Sequence, residues 1–246
     1  MLFQPRCSID ELKAIQQYSS PTVANALETF EVIPFNEGFM TPDIRAWLPG
    51  KGVRVGYAVT ARVACDQPPS AARPAVVPRD YWQYLADNPY PKIAVHQDID
   101  YRPVGAMWGE VNVNVHIALG CTAAITSGGV RDLPEAAAYD FQFFASCVLV
   151  SHAYGHFVDF GGAVRVGGLT VRPGDLIHAD DHGVLIIPPE VDLYELARRC
   201  EQIEALEREI FALAQSEDFS VDRLDQLWRE VTARWPSASK REGQNL

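Results

Sequence analysis

An arginine and an aspartate stand side by side in the run Gly128-Gly129-Val130-Arg131-Asp132-Leu133-Pro134-Glu135. A buried-type apolar stretch leads into the two glycines, and Pro134 suits the first turn of a helix. The pair therefore sits where a strand hands over to a helix, the place where α/β proteins carry functional groups. A plainer reading competes on spacing alone: Asp132 as the N-cap of the following helix and Arg131 as its ion partner. Upstream, Gly105-Ala106-Met107-Trp108-Gly109-Glu110 is a glycine-bounded loop entering another helix. Unpaired N–H groups at such a start can bind a carboxylate, whereas Glu110 can simply complement the helix dipole.

Other chemistry-bearing residues carry weaker patterns. His152 and His156 are four apart and would share a helix face as zinc ligands can, but Gly155 and the preceding β-type run oppose a helix there, and no third ligand lies nearby. Asp180-Asp181-His182-Gly183 reads as a turn between strands at 175–179 and 184–187. The glycines of Gly161-Gly162-Ala163-Val164-Arg165-Val166-Gly167-Gly168 read as hairpin turns, because no helix start follows them to hold a phosphate. GxGxxG, GxxxxGK, HExxH and GxSxG are all missing.

The elements that must position the two central segments follow from capping and periodicity. Ser8 and Glu11 form a capping-box pattern, and Ser20-Pro21 opens a second helix. The β-branched run from Gly52 to Ala64 predicts a strand, and the proline-rich stretch 65–78 a loop. A helix over Tyr81–Ala86, a strand over Lys92–His96, a helix over Trp108–Leu119 capped by Gly120, and a strand over Thr122–Ser127 come next. Then follow a helix over Leu133–Tyr139, a strand over Cys147–Ser151 and glycine-punctuated hairpins from Val158 to Pro189. Leu193, Leu196, Ala197, Cys200, Ile203, Leu206, Ile210 and Leu213 recur at helical steps, with a charged opposite face, and residues 236–246 read as a loose tail. No linker divides the chain, so residues 1–246 are expected to form one α/β domain; strict βαβ alternation is not visible, which disfavours a doubly wound sheet.

Composition sets the outer bounds. Hydrophobic residues make up 48% and charged residues 22%, enough for an ordinary core, and the formal net charge is −11. That charge argues against nucleic acid and against anionic membrane surfaces as partners. The five scattered cysteines include no CxxC pair, the start carries no signal-peptide pattern, and no apolar run reaches membrane-span length, so a reduced, cytoplasmic setting is expected.

Taken together, the two central segments resemble the RraA-like family, which includes the 4-hydroxy-4-methyl-2-oxoglutarate aldolases. The family pattern is a glycine-bounded loop and helix, an Arg-Asp pair about twenty residues on, and an acidic residue three further; Gly109, Arg131, Asp132 and Glu135 fill it, with 21 residues between Gly109 and Arg131. The likeness extends to PTVANAL, GYAVTARV and VRPGDLIHADDHGVLIIP, and so covers most of residues 20–190. It implies a compact, layered β/β/α domain with N- and C-terminal helices, assembled as homotrimers or hexamers. It further implies a class II aldolase or oxaloacetate decarboxylase acting on small 2-oxo acids. On that resemblance Asp132 would hold Mg²⁺ or Mn²⁺, Arg131 would pair with the substrate and its enolate, and the amides of Ala106, Met107, Trp108 and Gly109 would grip the substrate carboxylate. Glu110 and Glu135 would orient water, and a neighbouring subunit would add an acid, with Glu201, Glu204 or Glu207 of the C-terminal helix as candidates. The alternative that the resemblance also carries is a non-enzymatic regulator that binds and inhibits an RNA-degrading enzyme.

Overall fold

Strands buried on both faces read as near-continuous apolar runs, and the run from Arg54 to Ala64 is buried at ten of its eleven positions. A computed structural model describes residues 4–236 and shows how both faces come to be covered. Helices α1 (Ile9–Ile15) and α2 (Ser20–Glu28) lead into β1 (Arg45–Ala46) and β2 (Arg54–Ala64), followed by α3 (Pro78–Ala86), β3 (Lys92–Asp98) and β4 (Ala106–Trp108). Next come α4 (Glu110–Ala118), β5 (Cys121–Val130), α5 (Leu133–Ala136), β6 (Gln142–Val148) and β7 (His156–Phe160). The chain continues through β8 (Val164–Val166), β9 (Leu169–Val171), β10 (Leu176–Asp180) and β11 (Gly183–Ile187), then α6 (Leu193–Ala214) and α7 (Val221–Arg234).

The main sheet runs β1-β6-β5-β3-β2-β10-β11, and its central pairs β2–β3, β3–β5 and β5–β6 are parallel. Helices α3, α4 and α5 make the crossovers, so βαβ alternation does hold from residue 54 to 148, contrary to expectation. It was masked because α5 is only four residues long and a long loop separates β2 from α3. The parallel strands are added in one direction without reversal, so right-handed crossovers place all three helices on one face and the sheet is singly wound.

Side-chain alternation then builds three layers. Val59, Ala61, Ala94, Ala124 and Phe143 face Tyr81 and Leu85 of α3, Val113 of α4 and Ala136 of α5. From the opposite face Ala58, Ile93, Ala123 and Phe144 meet Val164, Val166 and Val171 of the small β8–β9 sheet. Helices α1, α2 and α6 close over the β10–β11 end through Ile15, Val23, Leu27, Leu196 and Ile203 against Leu176, Leu185 and Ile187. The hairpin expected around residues 180–183 is present, with Asp180 paired to Gly183.

Several boundaries moved. The Ser8–Glu11 capping box forms, but α2 is capped by Ser19, not Ser20, whose N–H donates to Asp180 at 2.7 Å. The strand expected at 147–151 starts five residues earlier, at Gln142. Helix α7 was not anticipated; Ser220 caps it, and Arg234 returns to Glu209 of α6 at 2.7 Å. Of the expected tail, residues 237–246 lie outside the described part of the chain.

Candidate active site

The parallel strands all end on the same edge, where loops rather than helices receive the chain, and such edges are where α/β folds bind ligands. Along that edge β3 pairs with β5 only as far as His96–Thr126, and then β4 takes its place, pairing Ala106 with Gly129 and Trp108 with Val130. This handover sets Gly109, immediately after β4, against Arg131 and Asp132, immediately after β5. The Arg131 N–H donates to the Trp108 carbonyl at 2.9 Å, which ties the two segments together.

Asp132 stands at the N-cap position of α5 in the left-handed region, φ 55°, yet its side chain makes no capping bond to that helix. Its Oδ2 instead accepts the N–H of Glu110 at 3.0 Å, the first residue of α4. The cap expected for α5 therefore serves α4, whose own N-cap residue, Gly109, has no side chain to offer. A Cβ on Gly109 would lie 2.4 Å from Asp132 Oδ2 and 3.1 Å from Arg131 Nε, so both charged side chains rest on a surface that only glycine provides. Arg131 Nε and Asp132 Oδ2 are 3.6 Å apart, and both side chains remain about one-third exposed.

The other expected residues fall into two groups. Glu110 joins the pair: its Oε1 accepts the Tyr139 hydroxyl at 2.9 Å, and its N–H reaches Asp132. Glu135 lies one turn along α5 and is exposed. Ala106 and Trp108 are buried in β4, and the Ala106 N–H is already bonded to the Ser151 carbonyl at 2.9 Å. Met107 is half-buried, with its carbonyl held by the Asn112 side chain. Any ligand contact by residues 106–109 is thus through backbone groups at their Gly109 end.

Sequence reasoning missed a second group on the same edge. Asp98 ends β3, and its Oδ2 is buried with no hydrogen-bond partner among the described residues. Burial pushes its carboxyl up to about 6. Asp98 Oδ1 accepts the Asp100 N–H, while Asp100 is committed to the N–H groups of Cys65 and Asp66 and to Arg73. Cys65, Asp98 and Asp100 could together offer a metal three ligand atoms within 4.8 Å. An aspartate at a strand's carboxyl end was the available signal, in His96-Gln97-Asp98.

Comparison with known proteins decides the family. The RraA-like family model, described as Aldolase/RraA, matches residues 21–186. The chain belongs to the RraA-like family. Its fold is shared by an uncharacterized protein from Pseudomonas syringae pv. tomato, with a TM-score of 0.71 over 92% of this chain and 96% of that one at 20% identity. Streptomyces coelicolor RraAS2, described as an unusual member of the RNase ES inhibitor RraA protein family, gives 0.64 over 85% and 98% at 18% identity. Identities this low speak to the fold alone. A stretch of 84 residues is 25% identical to protein DlpA of Legionella pneumophila, spanning 33% of this chain and 14% of DlpA. The family holds both aldolases and RraA regulators. Among the described residues no helix is long and apolar enough to cross a membrane.

Within the RraA-like frame, the donor set at Asp132 fits a hard divalent cation. One carboxylate oxygen is fixed by Glu110, while Oδ1 is engaged by no donor among the described residues and the side chain is part-exposed. Mg²⁺ and Mn²⁺ sites commonly take one or two carboxylates and keep several waters.

Proposed function

We propose that this chain is a divalent-metal-dependent carbon–carbon lyase that releases pyruvate from 4-hydroxy-2-oxo acids or decarboxylates oxaloacetate. The observation that carries this reading is the seating of Arg131 and Asp132 together on Gly109 at the mouth of α4. In either reaction a C–C bond breaks and its electron pair is left on the carbon next to the 2-oxo group, spreading into the oxo oxygen. Asp132 would hold Mg²⁺ or Mn²⁺, which supplies Lewis-acid polarisation of the 2-oxo group when bound.

The chain's own residues do the rest. Arg131 presents a planar fork to the substrate carboxylate and the growing enolate charge, a task a guanidinium performs in two parallel hydrogen bonds. Beyond the Glu110 N–H, which Asp132 takes, the first turn of α4 favours the substrate's negative charge at that end. Glu110, oriented by Tyr139, holds a water or carries the proton lost from a 4-hydroxyl. Glu135 adds negative charge one turn along. A trimer or hexamer would add an acid from α6 of a neighbour, where Glu201 is exposed and Glu204 and Glu207 are half-buried.

The test is pyruvate release from oxaloacetate and 4-hydroxy-2-oxo acids, with EDTA and with added Mg²⁺, in wild type and Asp132→Ala. Metal-stimulated release in wild type that disappears in the variant is expected. Release that survives EDTA, or a fully active Asp132→Ala, overturns the metal reading. No release from any substrate leaves the family's regulator role in its place.

A further inference from the structure

Trp108 belongs to the segment that the family resemblance assigns to substrate, yet its side chain is fully buried. Its indole packs against two neighbouring histidines, with ring centroids 4.9 Å from His96 and 4.4 Å from His116, which are themselves 6.0 Å apart. Both histidines are themselves buried, and both contact the same hydroxyl: Tyr81 Oη is 2.8 Å from His96 Nε2 and 3.0 Å from His116 Nε2.

The hydrogen positions in this cluster follow from its partners. His116 Nδ1 lies 2.7 Å from the Asn112 carbonyl, which can only accept, so Nδ1 carries the proton. Burial keeps the ring neutral, lowering its pKa to about 4, and Nε2 must therefore accept from Tyr81. Tyr81 then has only its lone pairs left for His96, whose Nε2 must donate. That leaves His96 Nδ1 as a buried acceptor with no partner among the described residues, and Trp108 Nε1 as a buried donor in the same position. A one-way chain of three groups thus fixes the two rings that the indole packs against.

We propose that Trp108 is a positioning residue for Arg131 and Asp132, clamped in register by the chain His96–Tyr81–His116. The path from clamp to site is short. The Trp108 carbonyl takes the Arg131 N–H, and the next residue, Gly109, is the surface against which Arg131 and Asp132 lie. A tilt of the indole moves the peptide that carries both contacts. The kinetic part of this inference rests on the lyase reading; the positional part does not.

Tyr81→Phe deletes the shared hydroxyl and keeps the ring, while His116→Gln keeps an acceptor for Tyr81 and leaves the Asn112 carbonyl its helical bond. Trp108→Phe leaves a smaller ring in the seat and approaches the same question from the other end. The primary readout is the NMR resonance of the Arg131 Nε–H, assigned by its loss in Arg131→Lys. Tyr81→Phe and Trp108→Phe should shift it, and His116→Gln should leave it near the wild-type position. In pyruvate release, Tyr81→Phe should lower kcat about tenfold with KM much less affected, because the fork matters most as enolate charge develops. Nitrogen-15 spectra should show His116 Nε2 and His96 Nδ1 unprotonated. An unmoved Arg131 resonance in Tyr81→Phe, or in Trp108→Phe where Tyr81→Phe does not fold, reduces the cluster to core packing and overturns the proposal. If wild type releases no pyruvate, the lyase reading fails, and the resonance still decides the clamp.

Discussion

Gly109→Ala adds one methyl group at the contact on which the site is built. The backbone there is extended, with φ −159°, so alanine meets no conformational strain and the whole effect is steric. The new Cβ would stand 2.4 Å from Asp132 Oδ2, and regaining contact at 3.4 Å requires the carboxylate to retreat by about 1 Å. Retreat is easy for the fold, because the clashing atom is the end of a side chain that is about one-third exposed. What is lost is the bond from the Glu110 N–H to Asp132, a helix cap worth about 1 kcal/mol. For a domain of this size that corresponds to a Tm lower by roughly 2–4 °C.

Activity should respond quite differently. A displacement of about 1 Å in a group that must be placed for reaction costs on the order of 100-fold. Gly109→Ala is therefore expected to be folded, slightly less stable, and nearly inactive in metal-stimulated pyruvate release. Gly162→Ala is the matched control, since nothing lies within 4 Å of its added Cβ. Thermal unfolding and steady-state assays on both variants make the comparison. A Gly109→Ala protein with wild-type kcat/KM would show that the Gly109–Asp132 contact is incidental to function, and the reasoning from it would fall.

Arg131→Lys keeps the charge but loses the planar fork, and should cost at least about tenfold in kcat/KM, or ~1.4 kcal/mol; an unchanged value would return Arg131 to a simple ion partner of Asp132. Asp98 should leave its mark on stability. With its folded-state pKa raised to about 6, wild type is favoured below the unfolded carboxylate's pKa and loses that advantage as pH climbs through 6. Asp98→Asn does not titrate, so denaturant unfolding should show it gaining about 1–2 kcal/mol on wild type between pH 4 and 7, the figure being discounted for partial exposure; a pH-independent difference refutes this. Light scattering should give a mass at least three times the 27.3 kDa chain, and a fully active monomer would exclude a neighbour's acid from the site.

Much of the architecture was readable from local chemistry, and the failures have physical causes. The Ser8 capping box, the α6 stripe and the Asp180–Gly183 turn are set by neighbours in sequence, and each formed where expected. The parallel core was harder, because strands covered on both faces lose the alternation that marks an exposed strand, and four residues of α5 give no helical period to read. Helix α7 is a different case. Leu224, Leu227, Trp228 and Val231 do repeat at helical steps, but most of that face is left half-exposed or exposed, and a polar helix on the surface resembles a tail by composition.

The site shows where local rules stop. Arg131, Asp132, Glu110 and Gly109 were all legible as types at a spacing, and the local rule for an aspartate before Leu-Pro is that it caps its own helix. The structure breaks that rule because β4 replaces β3 beside β5 within a few residues of the strand end, bringing the start of α4 within reach of the Asp132 carboxylate. Nothing within the run 128–135 records that handover. Its trace lies upstream of that run, in Gly109, a glycine at an N-cap position where serine or aspartate would be favoured alongside it. A cap without a side chain implies that something else caps the helix, and of the strand-end carboxylates it is Asp132 that does so. Read that way, Gly109 is as much a part of the site as the charged residues that rest on it.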